Sequence, residues 1–247
     1  MFGRNRARAN LSETGECMAS DFLAVSPRRR LKAAVYAYLV TPFHKAVITP
    51  LNIRKNAGRT FRRLEIGPGS GRIRGFETLN IVANGGEDYV SDAGRHMPFA
   101  DNTFDIVYAS HIIEHVPWYQ TERALAEWVR VLKPGGWLEI WVPDGLKIAR
   151  AFVNAEDAGE MEFHKDGWWR LNDRHDPCVW MSGRCFSYGD GTGRASHPNW
   201  HRALFSERLL REMFSRAGLE EIVQMEHDEV RGQNHGWINL GVKGRKP

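Results

Sequence analysis

The stretch LEIGPGSGR, residues 64–72, decides the fold of this chain. Leu64 to Ile66 have the pattern of a buried strand, and three glycines then recur at alternating positions. Glycine tolerates positive φ and carries no Cβ, so backbone N–H groups in such a turn can approach a ligand closely. The G-x-G-x-G spacing differs from the G-x-G-x-x-G of dinucleotide-binding loops, where a helix N-terminus cradles a pyrophosphate. The stretch therefore predicts a ligand site at the end of a strand.

Short β-type runs alternate with helical patterns after this loop. The predicted strands cover residues 63–66, 79–82, 88–91, 104–109, 136–142, 219–225 and 236–242, and the predicted helices cover 121–132, 146–153 and 205–217. Such alternation is typical of a mostly parallel sheet covered by helices. We therefore predict an α/β domain over residues 61–247. The connection from Gly71 to Leu79 leaves barely a turn or two for a first crossover helix.

Residues 1–60 have a different character from the rest of the chain. Residues 1–63 hold 13 of the 34 Lys and Arg residues and three of the 30 acids, which leaves 21 basic and 27 acidic residues in the other 184. Residues 1 to about 27 show no hydrophobic periodicity and predict a mobile tail. From Arg28 to Thr41 the spacing predicts a basic amphipathic helix, ended by Pro42. We expect its apolar face to pack on the domain; the alternative is a peripheral membrane contact through residues 28–55.

An insertion is predicted at about residues 156–202, where clean periodicity is lost. It is rich in aromatic residues, namely Phe163, Trp168, Trp169, Trp180, Phe186, Tyr188 and Trp200. These rings could form a platform for a sugar or planar acceptor beneath a lid, or they could be the small core of the insertion itself. The sequence leaves both alternatives open.

Several classes of protein are disfavoured by composition. No run of about 18 apolar residues predicts a membrane span, and three cysteines with no secretory signal favour the cytoplasm. The alternative location is the inner membrane surface. The spacing of His175, Cys178, Cys185 and His197 fits no paired zinc pattern, and Glu114-His115 is assigned to packing rather than to a divalent ion. No metal is predicted.

Four motifs in order carry a family resemblance. The glycine loop is followed by Asp92-Ala93, then by MPFADNTFDIV at residues 97–107 with EHV at 114–116, and then by LKPGG at 132–136. This arrangement resembles the class I S-adenosylmethionine-dependent methyltransferases, in the branch often called type 11, over about a third of the chain. The resemblance implies a Rossmann-like fold with a mostly parallel seven-stranded sheet, and S-adenosylmethionine as cofactor.

The resemblance also implies roles for residues of the loop. Gly67, Gly69 and Gly71 would line the aminoacyl and ribose portions of the cofactor, and Glu65 would act near the methionine ammonium. The family usually has an acid at the end of the second strand for the ribose hydroxyls. Val82 occupies that position in our predicted register.

Three candidates could replace this missing acid, namely Asn80, Asn84 and Glu77. A different register of the second strand, or weakened cofactor binding, would also account for Val82.

Further roles follow at the ends of the third and fourth strands. Asp92 would accept a hydrogen bond from the adenine amino group, and the Ala93 N–H would face the ring. Ser110 and His111 would face the methionine moiety and the incoming acceptor, where open α/β sheets bind ligands.

The acceptor is inferred from a weaker resemblance. The short first crossover and the Asn199-Trp200-His201 run resemble a bacterial subgroup associated with surface-polysaccharide or sugar modification. We therefore expect O-methylation of a sugar, nucleotide-sugar or other sugar-containing small molecule. The rivals are a lipid-linked or aromatic acceptor at the membrane surface and a non-catalytic protein that keeps the fold. A nucleic-acid substrate is disfavoured because the most basic stretches lack interleaved aromatic residues.

A general base is optional for methyl transfer, because alignment and desolvation supply much of the acceleration. For a hydroxyl acceptor, an imidazole or carboxylate could accept the proton. The candidates are His201, His111 and Asp144.

Overall fold

Seven strands form one sheet in the computed structural model, which describes residues 27–69, 71–158, 172, 174–186 and 197–247. The strands are β1 (Arg63–Ile66), β2 (Glu77–Asn80), β3 (Tyr89–Val90), β4 (Phe104–Ser110), β5 (Leu132–Pro143), β6 (Glu220–Met225) and β7 (Asn239–Arg245). Their order is β3-β2-β1-β4-β5-β7-β6. Strands β1 to β5 run parallel to one another, and β7 lies antiparallel to both β5 and β6. The predicted α/β Rossmann-like class I methyltransferase fold, with a mostly parallel seven-stranded sheet, is confirmed.

The helices in chain order are α1 (Pro27–Val35), α2 (Thr41–Phe43), α3 (Thr49–Asn56), α4 (Thr121–Val131), α5 (Gly145–Ala158), α6 (Pro177–Phe186) and α7 (Glu207–Arg216). In the described ranges, none of the helices is long and apolar enough to cross a membrane. The core lies on the central strands, where Leu64, Val107 and Ile140 are completely buried. Because β1 and β4 are neighbours although the chain visits β2 and β3 between them, a crevice is expected at their carboxyl ends.

The predicted β2 was displaced by two residues. The strand runs from Glu77 to Asn80 rather than over residues 79–82. The hydrophobic pattern of the sequence treats Glu77 as exposed. In the structure Glu77 is buried against Arg62, the residue immediately before β1. This buried ion pair places the start of β2 beside Leu64, so β2 ends before Val82.

Pro42 does not end the N-terminal helix, contrary to the prediction. Two π-helical turns, Tyr36–Val40 and His44–Ile48, link α1, α2 and α3 into one helical segment that reaches Asn56. Pro42 and Pro50 each follow a π turn and lie in the first two residues of the next α segment. The wider π turns leave room for the ring of each proline, and they let the helix continue without the backbone hydrogen bond that proline cannot donate.

The N-terminal helical segment docks on the domain through polar side chains. Asn52 donates to the carbonyl of Asp88 at 2.8 Å, the Thr49 hydroxyl accepts the amide of Val90 at 2.9 Å, and Thr41 accepts the amide of Ala83 at 3.1 Å. The prediction that its apolar face packs on the domain is therefore wrong. The exposed apolar residues recur every fourth position, and we call them the apolar stripe: Leu31, Val35, Leu39, Phe43, Val47 and Leu51.

The first crossover is short, as predicted. Residues 71–76, between β1 and β2, contain a turn and no helix. In place of a helix, the buried Phe76 packs with Tyr108, Trp141 and Met225 on this side of the sheet.

Regular structure continues into part of the predicted insertion, where helix α6 packs on α5. Trp180 is buried in a small cluster with Ile148, Ala155 and Ile238, so for this tryptophan the core alternative is confirmed. The predicted N-terminal tail and four of the aromatic residues of the insertion lie outside the described residues: Phe163, Trp168, Trp169 and Tyr188.

Candidate active site

The glycine loop leaves β1 with two residues in the left-handed region. Gly67 has φ +68° and Gly69 has φ +62°. A Cβ added to Gly67 would lie 1.8 Å from Cδ1 of Ile112, so the site tolerates only glycine without a rearrangement. The Gly67 amide donates to the carbonyl of Leu79 at 2.8 Å, which ties the loop to the end of β2.

A cavity of about 760 Å³ opens at the carboxyl ends of β1, β2 and β4. Seven of the sequence-predicted site residues line it: Gly67, Gly69, Asp92, Ala93, Ser110, His111 and His201. Glu65, Gly71 and Asp144 are not among the described lining residues. The volume falls within the range of small-molecule sites, and the position agrees with the rule for open α/β sheets.

Glu65 stabilises the loop from behind. Its buried carboxylate accepts the amide of Ile73 at 2.9 Å, and burial raises its pKa. This contact closes the turn between β1 and the short crossover. The role of Glu65 near the methionine ammonium stays a prediction.

Asp92 and Ala93 form one wall of the cavity after β3. The Asp92 carboxylate accepts the amide of Gly94 at 2.9 Å and pairs with Arg95 at 3.3 Å, while its side chain stays partly exposed. The carbonyl of Ala93 accepts the indole N–H of Trp128 at 2.9 Å, which fixes this wall against α4. The carboxylate is thus held rigidly beside the cavity.

The end of β2 differs from the predicted register. The shifted register puts Asn80 at the end of the strand, and Asn80, Val82 and Asn84 all line the cavity. Glu77 lies at the other end of β2 in its ion pair with Arg62, so it does not reach this site. Asn80 is therefore the polar residue at the end of β2, and its role at the ribose stays a prediction.

His111 is locked by its neighbours. Its φ is +56°, and Nδ1 lies 3.2 Å from Oε1 of Glu114. Nε2 lies 3.0 Å from Oδ1 of Asn239, which also accepts the amide of His235, so Nε2 must donate there. With both ring nitrogens engaged, the geometry favours a positioning role over proton transfer to Nε2.

Asp144 caps a helix. One of its carboxylate oxygens accepts the amides of Leu146 and Lys147 at 3.0 and 3.1 Å, at the start of α5. An acidic cap of this kind satisfies otherwise unpaired N–H groups and favours the helix dipole. The geometry therefore assigns Asp144 to helix capping rather than to proton transfer.

His201 is the predicted catalytic residue that the geometry favours. Nδ1 lies 3.2 Å from the carbonyl of Arg184, which leaves Nε2 with the lone pair. Its ring meets that of His115 edge to face, with centroids 4.9 Å apart. Burial lowers the pKa of His201, so the ring is neutral at neutral pH.

Three residues of the site were missed by the sequence reasoning. His235 stacks on His111 with ring centroids 3.9 Å apart, and burial lowers its pKa to about 4. Arg184, on α6, and Gln233, before β7, also line the cavity. All three come from segments without a local motif, so nothing in the sequence pattern could have identified them.

Glu114 is a fourth residue whose surroundings were not predicted. It is buried, and within the described part of the chain its Oε2 atom has no hydrogen-bond partner. Burial alone would raise its pKa, but the hydrogen bond with His111 and the nearby rings of His115 and His201 lower it overall.

Comparison with known proteins agrees with this arrangement. Residues 76–140 match the sequence family described as "Methyltransferase domain". The ubiquinone/menaquinone biosynthesis C-methyltransferase of Haemophilus ducreyi is 44% identical over 61 residues, which are 25% of this chain and 22% of that protein. An uncharacterized methyltransferase of Mycolicibacterium paratuberculosis is 27% identical over 172 residues, 64% of this chain and 65% of that one. The chain thus spans less than two thirds of either relative.

One solved structure resembles this chain at low sequence identity. It is described as a SAM-dependent methyltransferase from Methanosarcina mazei and is 19% identical, with 78% of this chain and 96% of that chain covered and a TM-score of 0.43. The family match covers residues 76–140, and it supports the predicted enzyme class and the predicted cofactor.

Proposed function

We propose that this protein is an S-adenosylmethionine-dependent methyltransferase that methylates an oxygen of a sugar, a nucleotide-sugar or another sugar-containing small molecule. The observation that carries the acceptor class is the polarity of the cavity away from the glycine loop. Its described walls there include Arg184, Asn199, His201 and His235. Hydroxyl-rich acceptors need such donors and acceptors, whereas a quinone or sterol ring favours apolar walls.

The residues present fit the cofactor. The loop at Gly67 has no room for a side chain, and Asp92 stands partly exposed beside the cavity with no buried cation against it. Gly67 and Gly69 would hold the aminoacyl part, Asp92 and Ala93 the adenine, and Asn80 the ribose. S-adenosylmethionine supplies an activated methyl group when it is bound.

The chain itself would position the acceptor and remove its proton. The neutral imidazole of His201 can accept a proton at Nε2, because Nδ1 already faces the carbonyl of Arg184. His111 would keep its place between Glu114 and Asn239 and shape the floor of the cavity.

Cofactor binding is tested by isothermal titration with S-adenosylmethionine and S-adenosylhomocysteine. We expect Asp92→Ala to weaken binding by about tenfold or more, because a charge-assisted hydrogen bond contributes about 1.5–3 kcal/mol. Gly69→Arg should abolish it, since Gly69 lines the cavity with φ +62°, so a long side chain there strains the loop and occupies the space of the ligand. Asp101→Ala, at an exposed acid paired with Arg130, is the control and should bind as the wild type does. A folded wild type without binding would refute the proposal.

The acceptor class is tested by methyl transfer from radiolabelled S-adenosylmethionine to matched panels. One panel contains glycosides and nucleotide-sugars, and the other contains quinones, sterols and lipid-linked sugars. Product in the first panel, with turnover lowered in His201→Ala at unchanged cofactor affinity, is the expected result. Turnover of quinones or sterols alone would overturn the sugar assignment.

A second candidate acceptor, carried by a membrane lipid, is favoured by the N-terminal helical segment. The apolar stripe is exposed, with Leu31 at 67% and Leu39 at 66% exposure. Residues 27–56 contain no Asp or Glu, and cations flank the stripe: Arg28, Lys32, Lys45, Arg54 and Lys55. A basic helix with such a face fits an anionic bilayer surface.

Vesicle sedimentation tests this second candidate. Wild-type protein should sediment with vesicles of phosphatidylglycerol and phosphatidylcholine, less so in high salt, and Leu39→Asp with Phe43→Asp should remain in the supernatant. Val153→Asp changes an exposed apolar residue outside the stripe and is the matched control. Equal behaviour of wild type and the double variant would remove the membrane candidate.

A further inference from the structure

Three side chains with metal-ligating atoms meet at the edge of the cavity. Glu114 and His115 lie in the 3₁₀ turn Ile113–His115 after β4, and His201 comes from the far end of the insertion. One ligand atom from each lies within 4.8 Å of the others. The amides of Arg202 and Ala203 donate to the carbonyl of Glu114 at 2.7 and 3.2 Å, which holds the two segments together.

The carboxylate of Glu114 is incompletely satisfied. Its side chain is 1% exposed, and Oε1 faces His111 at 3.2 Å, but Oε2 has no hydrogen-bond partner among the residues that the structure describes. Buried carboxylate oxygens are costly without a donor or a cation, and native structures leave few of them unpaired. An unpartnered oxygen beside two imidazoles therefore indicates that something is held there.

Both imidazoles are oriented from behind. Nδ1 of His115 lies 3.3 Å from the carbonyl of Trp200, and Nδ1 of His201 lies 3.2 Å from the carbonyl of Arg184. Each Nδ1 must donate to its carbonyl, so each Nε2 carries the free lone pair. Metal-bound histidines have this arrangement, in which a backbone carbonyl fixes the tautomer and the ring.

We propose that Glu114, His115 and His201 bind a divalent transition-metal ion, of the zinc or cobalt class, at the acceptor end of the cavity. Two imidazole nitrogens and one carboxylate oxygen suit such ions better than magnesium or calcium, which prefer oxygen ligands. Metal–ligand bonds of about 2.0–2.2 Å require the three side chains to draw together slightly. The ion would keep an open position, since His115 and His201 line the cavity.

The position gives the ion a role that rests on the proposed function. An ion with an open site there would bind an oxygen of the acceptor and orient it, and His201 would then act as a ligand instead of as the proton acceptor. Sequence reasoning assigned Glu114-His115 to packing because nothing in the chain pattern brought His201 to the pair.

Metal binding is tested without any cofactor or acceptor. Tag-free full-length protein is loaded with Zn²⁺ or Co²⁺, desalted and assayed by elemental analysis, and the cobalt form is examined by visible absorption. We expect one ion per chain with a cobalt spectrum of low coordination number. Glu114→Gln, His115→Ala and His201→Ala should each lose both signals, with far-UV circular dichroism unchanged.

The control is His96→Ala, which removes an exposed histidine that pairs with Glu127. It should bind metal as the wild type does. Metal content that survives all three ligand variants, or a wild type that retains no ion, would overturn the proposal. Titration with S-adenosylmethionine on the same metal-free samples reports the cofactor site separately, so failure of one proposal is distinguishable from failure of the other.

Discussion

Two buried glutamates, one at the amino ends and one at the carboxyl ends of the parallel strands, have opposite surroundings. Glu77 is the first residue of β2, at the amino end of the strand. Arg62 donates to both carboxylate oxygens of Glu77 at 2.9 and 2.8 Å, and the hydroxyl of Tyr89 donates as well. Asn56 adds a further donor at 3.2 Å. Glu114 follows the carboxyl end of β4, and its Oε2 atom has no hydrogen-bond partner among the described residues.

The difference separates stability from function. A carboxylate that holds the fold together has every oxygen satisfied, because an unpaired buried charge costs free energy. A carboxylate left partly unsatisfied beside a cavity costs stability and retains the capacity to bind. Substitutions at the amino ends of the parallel strands are therefore expected to change stability, and substitutions at the carboxyl ends are expected to change binding.

The largest effect is expected for Glu77→Gln. The substitution leaves the Arg62 guanidinium buried without its counter-charge, and breaking a buried pair from one side costs about 3–5 kcal/mol. Urea unfolding followed by tryptophan fluorescence measures the loss. Arg59→Ala is the control, because Arg59 is exposed and lies 4.0 Å from Glu77, so it should change stability by less than about 1 kcal/mol. A similar, small loss in both variants would contradict the structural role of Glu77.

A smaller effect is expected in the dependence of the free energy of unfolding on pH, at acid pH. Burial alone would raise the pKa of Glu77, but hydrogen bonds from Arg62 and Tyr89 and the nearby guanidinium hold it below its ordinary value. Its contribution to the free energy of unfolding is therefore complete above the unfolded pKa of about 4.3 and is lost as pH falls through the lower folded pKa.

Urea unfolding at a series of pH values from neutral to acid checks this prediction. The wild type should lose its advantage over Glu77→Gln as the pH falls below about 4. A constant difference between the two proteins down to the acid limit would show that ionisation of Glu77 is not the source of the stability.

The smallest effect is expected when the same substitution is made at Glu114. In metal-free protein, Glu114→Gln can keep an oxygen facing Nδ1 of His111, and its new amide takes the place of Oε2, which has no partner among the described residues. The free energy of unfolding should change by less than about 1 kcal/mol. Unfolding in urea with a chelator present measures it. A loss as large as that of Glu77→Gln would mean that Glu114 is a structural carboxylate and that the comparison fails.

The central strands and the glycine loop could be predicted because their signals are local. A strand of four residues followed by alternating glycines specifies its own turn, and Gly67 and Gly69 take the positive φ that only glycine adopts freely. Asp92 and Ala93 were found for a similar reason, since a strand end lies next to them in the chain.

The errors came from contacts between segments that are distant in sequence. The register of β2 depends on Arg62, which the hydrophobic pattern could not pair with Glu77. The apolar stripe faces outward because Thr41, Thr49 and Asn52 meet backbone groups at the edge of the sheet, and no periodicity reveals which face of a helix finds partners.

The sequence by itself determined that short strands alternate with helices and that a glycine loop follows β1, because these features depend on neighbouring residues and on backbone conformation. Only the tertiary structure decided that His201 lies beside Glu114 and His115, and that Asp144 caps a helix. Side-chain clusters of this kind are assembled by packing between segments far apart in the chain, and a pattern of residue types carries no distance between them.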